Sequence, residues 1–274
     1  MNRREVAMRF LVAGLGIPAI MGCILFGKLL TVFAVAVIES VALFEFYQLY
    51  WKKGYAPNRI AGLGMAVLIT VCIYFYQMKY LAPVLFFAIL LVMIWEMFRN
   101  DKHPVINIAL TLFGMIYLSL FSSLILIREF PKGSEFSYLT GGWLVMQIFF
   151  TIWLCDTAAY FWGSKFGKHP LFKKVSPKKT WEGAIAGFLI AIPGALFVRL
   201  MFIPKTSLIH SVVLGLIVGT LGQMGDLMES FIKRDAGVKD SSELLLSHGG
   251  FLDRFDSPII VAPLVYLSMQ IFGI

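Results

Sequence analysis

Apolar runs long enough to cross a bilayer, separated by short polar stretches, fill almost the whole chain. A helix needs about 20 predominantly apolar residues to span the hydrocarbon. Runs of that order fall at about residues 9–27, 29–51, 58–77, 80–98, 105–127, 141–163, 181–203, 207–230 and 257–274. The pattern predicts an all-α polytopic integral membrane protein of about nine transmembrane helices. Pro18 lies inside the first run, where a bundle tolerates it as a kink. The opening NRREVAMRF has the charge of a signal peptide, but no small-residue cleavage site follows closely and eight more runs do. It is read as leading into an uncleaved first helix.

Composition agrees with that reading. Hydrophobic residues make up 59% of the 274 positions and charged residues 15%, with a mean hydropathy of +0.80. A soluble fold has no way to hide so much apolar surface. The placement of charge then sets orientation. With the N-terminus inside, all but six of the 24 basic residues (Lys28, Lys79, Arg128, Lys132, Arg199 and Lys205) fall in cytoplasmic segments. This predicts a cytoplasmic N-terminus and an external C-terminus. The net charge of +8 therefore points to anionic lipid and phosphate substrates, and not to nucleic acid. Cys23, Cys72 and Cys155 are scattered through apolar runs without metal-ligand spacing, so neither a disulfide nor zinc is expected.

The first half is poor in candidate chemistry. Glu39 lies deep in the second run and is expected to pair within the bundle or across a dimer contact, because an ionisable group at membrane depth needs a partner. Glu45 lies nearer the inner end and can reach the interface. Glu96 and Arg99, three residues apart, read as an interfacial ion pair. The aromatic residues from Phe44 to Trp51 and from Tyr74 to Tyr80 read as interface belts. Turn-forming residues between Phe130 and Gly142 separate this half from a richer one. Residues 1–129 are thus expected to be scaffold or dimerisation helices, about five in number. Residues 130–274 form the catalytic part, with two cytoplasmic motif loops at 164–180 and 230–257.

The densest charge lies in Gly225–Ser257, GDLMESFIKRDAGVKDSSELLLSHGGFLDRFDS. On a helix, Asp226, Glu229, Ser230 and Lys233 share one face. Asp253 and Asp256 repeat the three-residue spacing at the start of the last run. Acidic pairs from two neighbouring helix ends suit Mg²⁺, which takes few protein carboxylates and completes its shell with water and phosphate oxygens. Lys233, Arg234, Lys239 and Arg254 are placed to hold phosphate, and His248-Gly249-Gly250 supplies backbone that can approach an anion closely. Gly215, Gly219 and Gly222 in the preceding run permit close helix approach, which would bring Asp226 to Asp256. Pro258 suits a first helical turn, so Asp256 or Ser257 is expected to cap the last helix.

This window resembles the signature of the phosphatidate cytidylyltransferases, or CDP-diacylglycerol synthases: S-x-x-K-R-x4-K-D, a spacer, then H-G-G-x-x-D-R-x-D. Ser230, Lys233, Arg234, Lys239, Asp240, His248, Gly249, Gly250, Asp253, Arg254 and Asp256 match it. Leu246 departs from the family's usual Pro or Gly two residues before the His. A second block, Ser176-Pro177-Lys178-Lys179-Thr180-Trp181-Glu182-Gly183, is similar to one that accompanies the signature, although Ala158 stands where the family often has Gly. There, lysines adjoin a helix N-terminus that Thr180 or Ser176 can cap, a natural phosphate cradle. Asp156, several residues inside the sixth run, is a further candidate.

The resemblance implies an Mg²⁺-dependent enzyme of the bacterial inner membrane, expected as a homodimer. It would make CDP-diacylglycerol and pyrophosphate from CTP and phosphatidate. Asp226 and Asp256, with Asp253 and Asp156 in support or on a second metal ion, are the metal candidates. Asp226, Lys233, Arg234, Asp253 and Asp256 are the catalytic set. Ser176, Lys178, Lys179, Lys239, His248, Gly249 and Arg254 are the substrate contacts. Two rivals use similar hardware: a CTP-dependent lipid kinase of the dolichol-kinase type, and an ion-coupled transporter with buried acids and broken helices.

Overall fold

The computed structural model describes residues 14, 16, 18–99, 101–131, 136–242 and 249–274. Among them are eight helices long and apolar enough to span a membrane: α1 (Lys28–Lys52), α2 (Arg59–Tyr76), α3 (Leu81–Arg99), α4 (Pro104–Arg128), α5 (Tyr138–Phe166), α6 (Trp181–Phe202), α7 (Leu208–Asp235) and α8 (Leu252–Phe272). Each matches one of the apolar runs to within several residues. Of the first run, residues 18–26 are helical, and its start lies outside the described residues.

Helix starts follow local chemistry. Asn58 Oδ1 accepts from Ala61 N (3.0 Å) at α2, and Thr180 Oγ1 from Gly183 N (3.2 Å) at α6. Pro104 occupies the first turn of α4, where its missing N–H costs nothing. Outward faces carry large apolar side chains such as Phe33, Phe86, Phe87, Leu189 and Phe197. Such faces are stable only against lipid tails.

The chain divides into two compact units. One contains α1 to α4 up to Leu126, with Asp235–Phe255; the other is Ile127–Arg234 with Asp256–Ile274.

In the first unit, Phe46 and Tyr47 of α1 fill the space that side chains at Gly62 and Gly114 would need, and Tyr47 Oη donates to Thr111 O (2.8 Å). Its buried carboxylates are met by neutral donors or by an arginine. Glu39 accepts from Thr70 (2.6 Å), Ser119 (2.6 Å) and Ser122 (2.8 Å), three hydroxyls from two other helices. Glu39 therefore pairs within the bundle. Glu96 accepts from Asn107 Nδ2 (2.9 Å) and pairs with Arg99 (3.0 Å), as the three-residue spacing predicted.

In the second unit, α5 and α6 approach closely because Gly183 and Gly187 present bare backbone to Ala159 O and Cys155 O. A two-stranded antiparallel hairpin, β1 (Pro170–Phe172) and β2 (Ser176–Thr180), joins them and carries the lysines of the second motif block. Apolar periodicity gave no sign of this hairpin, since five residues of mixed polarity are too few to show alternation.

The last helix begins earlier than expected. Pro258 lies inside α8 and not in its first turn, so neither Asp256 nor Ser257 is its cap. The free donors at its start, Phe251 N and Leu252 N, are taken by Glu45 of α1 (3.0 and 2.9 Å). A cap supplied from so far away in sequence leaves no local signature.

Candidate active site

The acidic centre of the second unit is built by α7 and α8. Over Val218–Gly222, α7 opens into one wide π turn, which adds a residue and rotates the helix beyond it about its axis. Before and within that turn, Gly215 and Gly219 lie against Ile192 and Phe188 of α6. At its end and beyond it, Gly222 and Gly225 lie against Val261 and Asp256 of α8. A Cβ on Gly225 would stand 3.0 Å from Asp256 O and 3.2 Å from Ser257 Cα, so glycine there lets the two helices nearly touch. The expectation from Gly215, Gly219 and Gly222 thus holds in outcome, but Gly222 and Gly225 form the contact with α8.

That contact brings acids together. One oxygen from each of Asp226, Glu229 and Asp256 lies within 4.8 Å of the others, the one such group among the described residues. Glu229 is buried, and Asp226 and Asp256 are half-buried. Glu229 shares a helix face with Asp226, as its spacing indicated, but sequence reasoning did not count it among the metal candidates. Asp156 of α5 lies outside this group, yet close enough for its charge to act on both Asp226 and Asp256.

Three carboxylates at this separation repel one another unless cations intervene. Two ammonium groups do so. Lys179, carried in by β2, forms an ion pair with Asp226 Oδ2, and Lys233 one turn along α7 pairs with Glu229 Oε2 (2.6 Å). Lys179 occupies the position of a counter-ion, and the all-oxygen donor set suits a hard divalent cation.

The remaining basic residues surround this centre or belong to the other unit. Arg234 Nε donates to Val175 O (3.3 Å), tying the end of α7 to the hairpin. Lys178 is exposed on β2 beside Lys179, and Ser176 is half-buried at the strand's start. The helix cap is Thr180 and not Ser176.

Asp253 and Arg254 fold with the first unit, as do Lys239 and Gly249. Asp253 is not among the three acids of that group. Its Oδ2 accepts from Gly250 N (2.8 Å), Ser241 N (3.1 Å) and Ser241 Oγ (3.0 Å), so it caps the described limbs of the loop. Its position in the signature carried no sign of this, because the donors come from the loop itself. Lys239 and Arg254 are exposed, and Gly249 adopts φ 79°, a left-handed conformation that glycine takes without strain. His248 lies outside the described residues.

The comparison with known families settles what kind of protein carries this centre. The profile of the cytidylyltransferase family matches residues 7–272. The chain belongs to that family. A phosphatidate cytidylyltransferase of Bacillus subtilis is 29% identical over 98% of this chain and 99% of its own length. A phosphatidate cytidylyltransferase of Aquifex aeolicus is 48% identical over 120 residues, 44% of each chain. A chloroplastic phosphatidate cytidylyltransferase of Arabidopsis thaliana is 29% identical over 95% of this chain and 71% of its own length. As a cytidylyltransferase, the chain is a nucleotidyltransferase embedded in a membrane.

Proposed function

We propose that this cytidylyltransferase transfers the cytidylyl group of CTP to phosphatidate at the cytoplasmic membrane face, releasing CDP-diacylglycerol and pyrophosphate. The observation that carries the reading is the Asp226, Glu229 and Asp256 cluster threaded by two lysines, in a family member whose near-full-length bacterial relative bears that activity in its name.

Asp226, Glu229 and Asp256 would hold Mg²⁺, with Asp156 in support. When bound there, Mg²⁺ neutralises the triphosphate and polarises its phosphoryl oxygens. The lipid phosphate is already ionised at neutral pH and needs no strong general base. One of its oxygens forms the new bond to the α-phosphorus of CTP. The bond from that phosphorus to the bridging oxygen breaks, and pyrophosphate leaves with the electron pair. Lys179, Lys178 and Lys233, with Ser176 beside them on the hairpin, bind the charge that builds on the non-bridging and leaving oxygens, while Arg234 ties the end of α7 to the hairpin. Lys239, His248, Gly249 and Arg254 are the further substrate contacts of this reading, and Asp253 acts by holding Gly250 and Ser241. The cytoplasmic face follows from the lysine-rich loop before α6 and the positive-inside rule. The reading includes the bacterial inner membrane as location and, on family resemblance, a homodimer.

The test uses purified protein in detergent with phosphatidate, Mg²⁺ and CTP labelled at the α- or the γ-phosphate. Label from the α position entering the organic phase is the expected result. Label from the γ position alone would make the protein a lipid kinase, and entry of neither would overturn the reading.

A further inference from the structure

We propose that Glu45 of α1 is a positioning residue that holds the two described limbs of the signature loop, residues 236–242 and 249–254, in the arrangement that binds CTP. The proposal rests on the reading of the chain as a CTP-using enzyme.

Glu45 is fully buried, and all its hydrogen bonds described here run to that loop. Oε1 accepts from Ser242 Oγ and from Phe251 N (3.0 Å), and Oε2 from Leu252 N (2.9 Å) and Ser241 Oγ (3.2 Å). Four donor groups converge on one side chain: two backbone N–H groups at the start of α8, the Ser242 hydroxyl, and the Ser241 hydroxyl, which is shared with Asp253. That arrangement calls for an anion, because the helix start carries positive charge and the hydrogen bonds gain strength from the carboxylate's charge.

The contacts grip both ends of the loop. Ser241 and Ser242 belong to its outgoing limb, and Gly250, Phe251 and Leu252 to its returning limb. The Ser241 hydroxyl lies between the Glu45 and Asp253 carboxylates, so the two acids bracket the base. Gly250 is the keystone. A Cβ there would collide with both the Glu45 carboxylate and the Ser241 hydroxyl. The second glycine of H-G-G is thus required by Glu45, some two hundred residues away in sequence. Lys239, two residues before Ser241, and Arg254, two residues after Leu252, are groups assigned to substrate, and they flank the gripped base. A base that loosens displaces both.

Purified wild type, Glu45→Gln, Glu45→Asp and Gly250→Ala should be compared by initial rates with CTP and phosphatidate varied separately, together with hydrogen exchange across residues 236–254. In Glu45→Gln the new amide group opposes the N–H donors. Its KM for CTP is expected to rise about tenfold or more, with KM for phosphatidate unchanged and exchange accelerated in the loop but not in α2. Gly250→Ala should behave alike, and Glu45→Asp, which keeps the charge at shorter reach, should fall between. A purely structural role would reduce the active fraction and leave both KM values as in wild type, and that result overturns the proposal. Unaltered exchange in the loop of Glu45→Gln overturns it as well. A wild type that consumes no CTP would instead refute the assigned function, and the exchange measurement would still decide whether Glu45 anchors the loop.

Discussion

Both units bury carboxylates in membrane-spanning helices, and the two sets are met in opposite ways. In the first unit Glu39 is surrounded by three hydroxyls, Glu45 by two hydroxyls and two backbone N–H groups, and Glu96 by an amide and Arg99. Each of these acids is met by several donors. In the second unit one oxygen from each of Asp226, Glu229 and Asp256 lies within 4.8 Å of the others, and the ammonium groups of Lys179 and Lys233 pair with two of these acids. An acid ringed by fixed dipoles holds neighbouring groups in place. Acids pressed together and neutralised by long, displaceable side chains are poised to exchange those cations for a metal ion and a polyphosphate.

Breaking the second set should have the largest effect. Asp256→Asn or Asp226→Asn is expected to lower turnover at least about a hundredfold, while the protein extracts and elutes like wild type; near-normal rates in both would remove the metal assignment. Lys179→Ala separates the two duties of the cluster. Turnover should fall about tenfold or more, yet divalent-ion affinity should hold or rise, because a competing ammonium is gone. Weaker metal binding in this variant would mean that Lys179 supports the site and does not stand in for its cation. Glu229→Gln is expected to cost less, about tenfold in turnover, with Lys233 left without that partner carboxylate.

The smallest catalytic effect is expected at Glu39. Glu39→Ala leaves three buried hydroxyls without their acceptor, a loss of about 1–3 kcal/mol for each group that finds no other. The thermal midpoint should drop by several degrees while turnover per folded molecule stays within about twofold. Lost turnover at an unchanged midpoint would erase the distinction between the two units.

Much of this was legible in the sequence, for identifiable reasons. The helices could be read because the bilayer fixes their length and apolar character, and α1 to α7 match the apolar runs closely. The pairing of Glu96 with Arg99 and the helical face of Asp226, Glu229 and Lys233 could be read because they depend only on spacing along one helix. What stayed hidden depends on distant partners. Neither Glu45 as the cap of α8 nor Asp253 as the cap of Gly250 has a local pattern, and so the start of α8 was misplaced by several residues. The π turn in α7 shifted the helix contact from Gly215 and Gly219 to Gly222 and Gly225, because one added residue changes which face points at α8.

The central claim is that Asp226, Glu229 and Asp256 form a divalent-cation site, and the most direct test is a titration of purified protein with Mn²⁺ followed by electron paramagnetic resonance, without substrate. Saturable binding that Mg²⁺ displaces, present in wild type and in Glu39→Ala but lost in Asp256→Asn, is the predicted result. Equal binding in wild type and Asp256→Asn would contradict it.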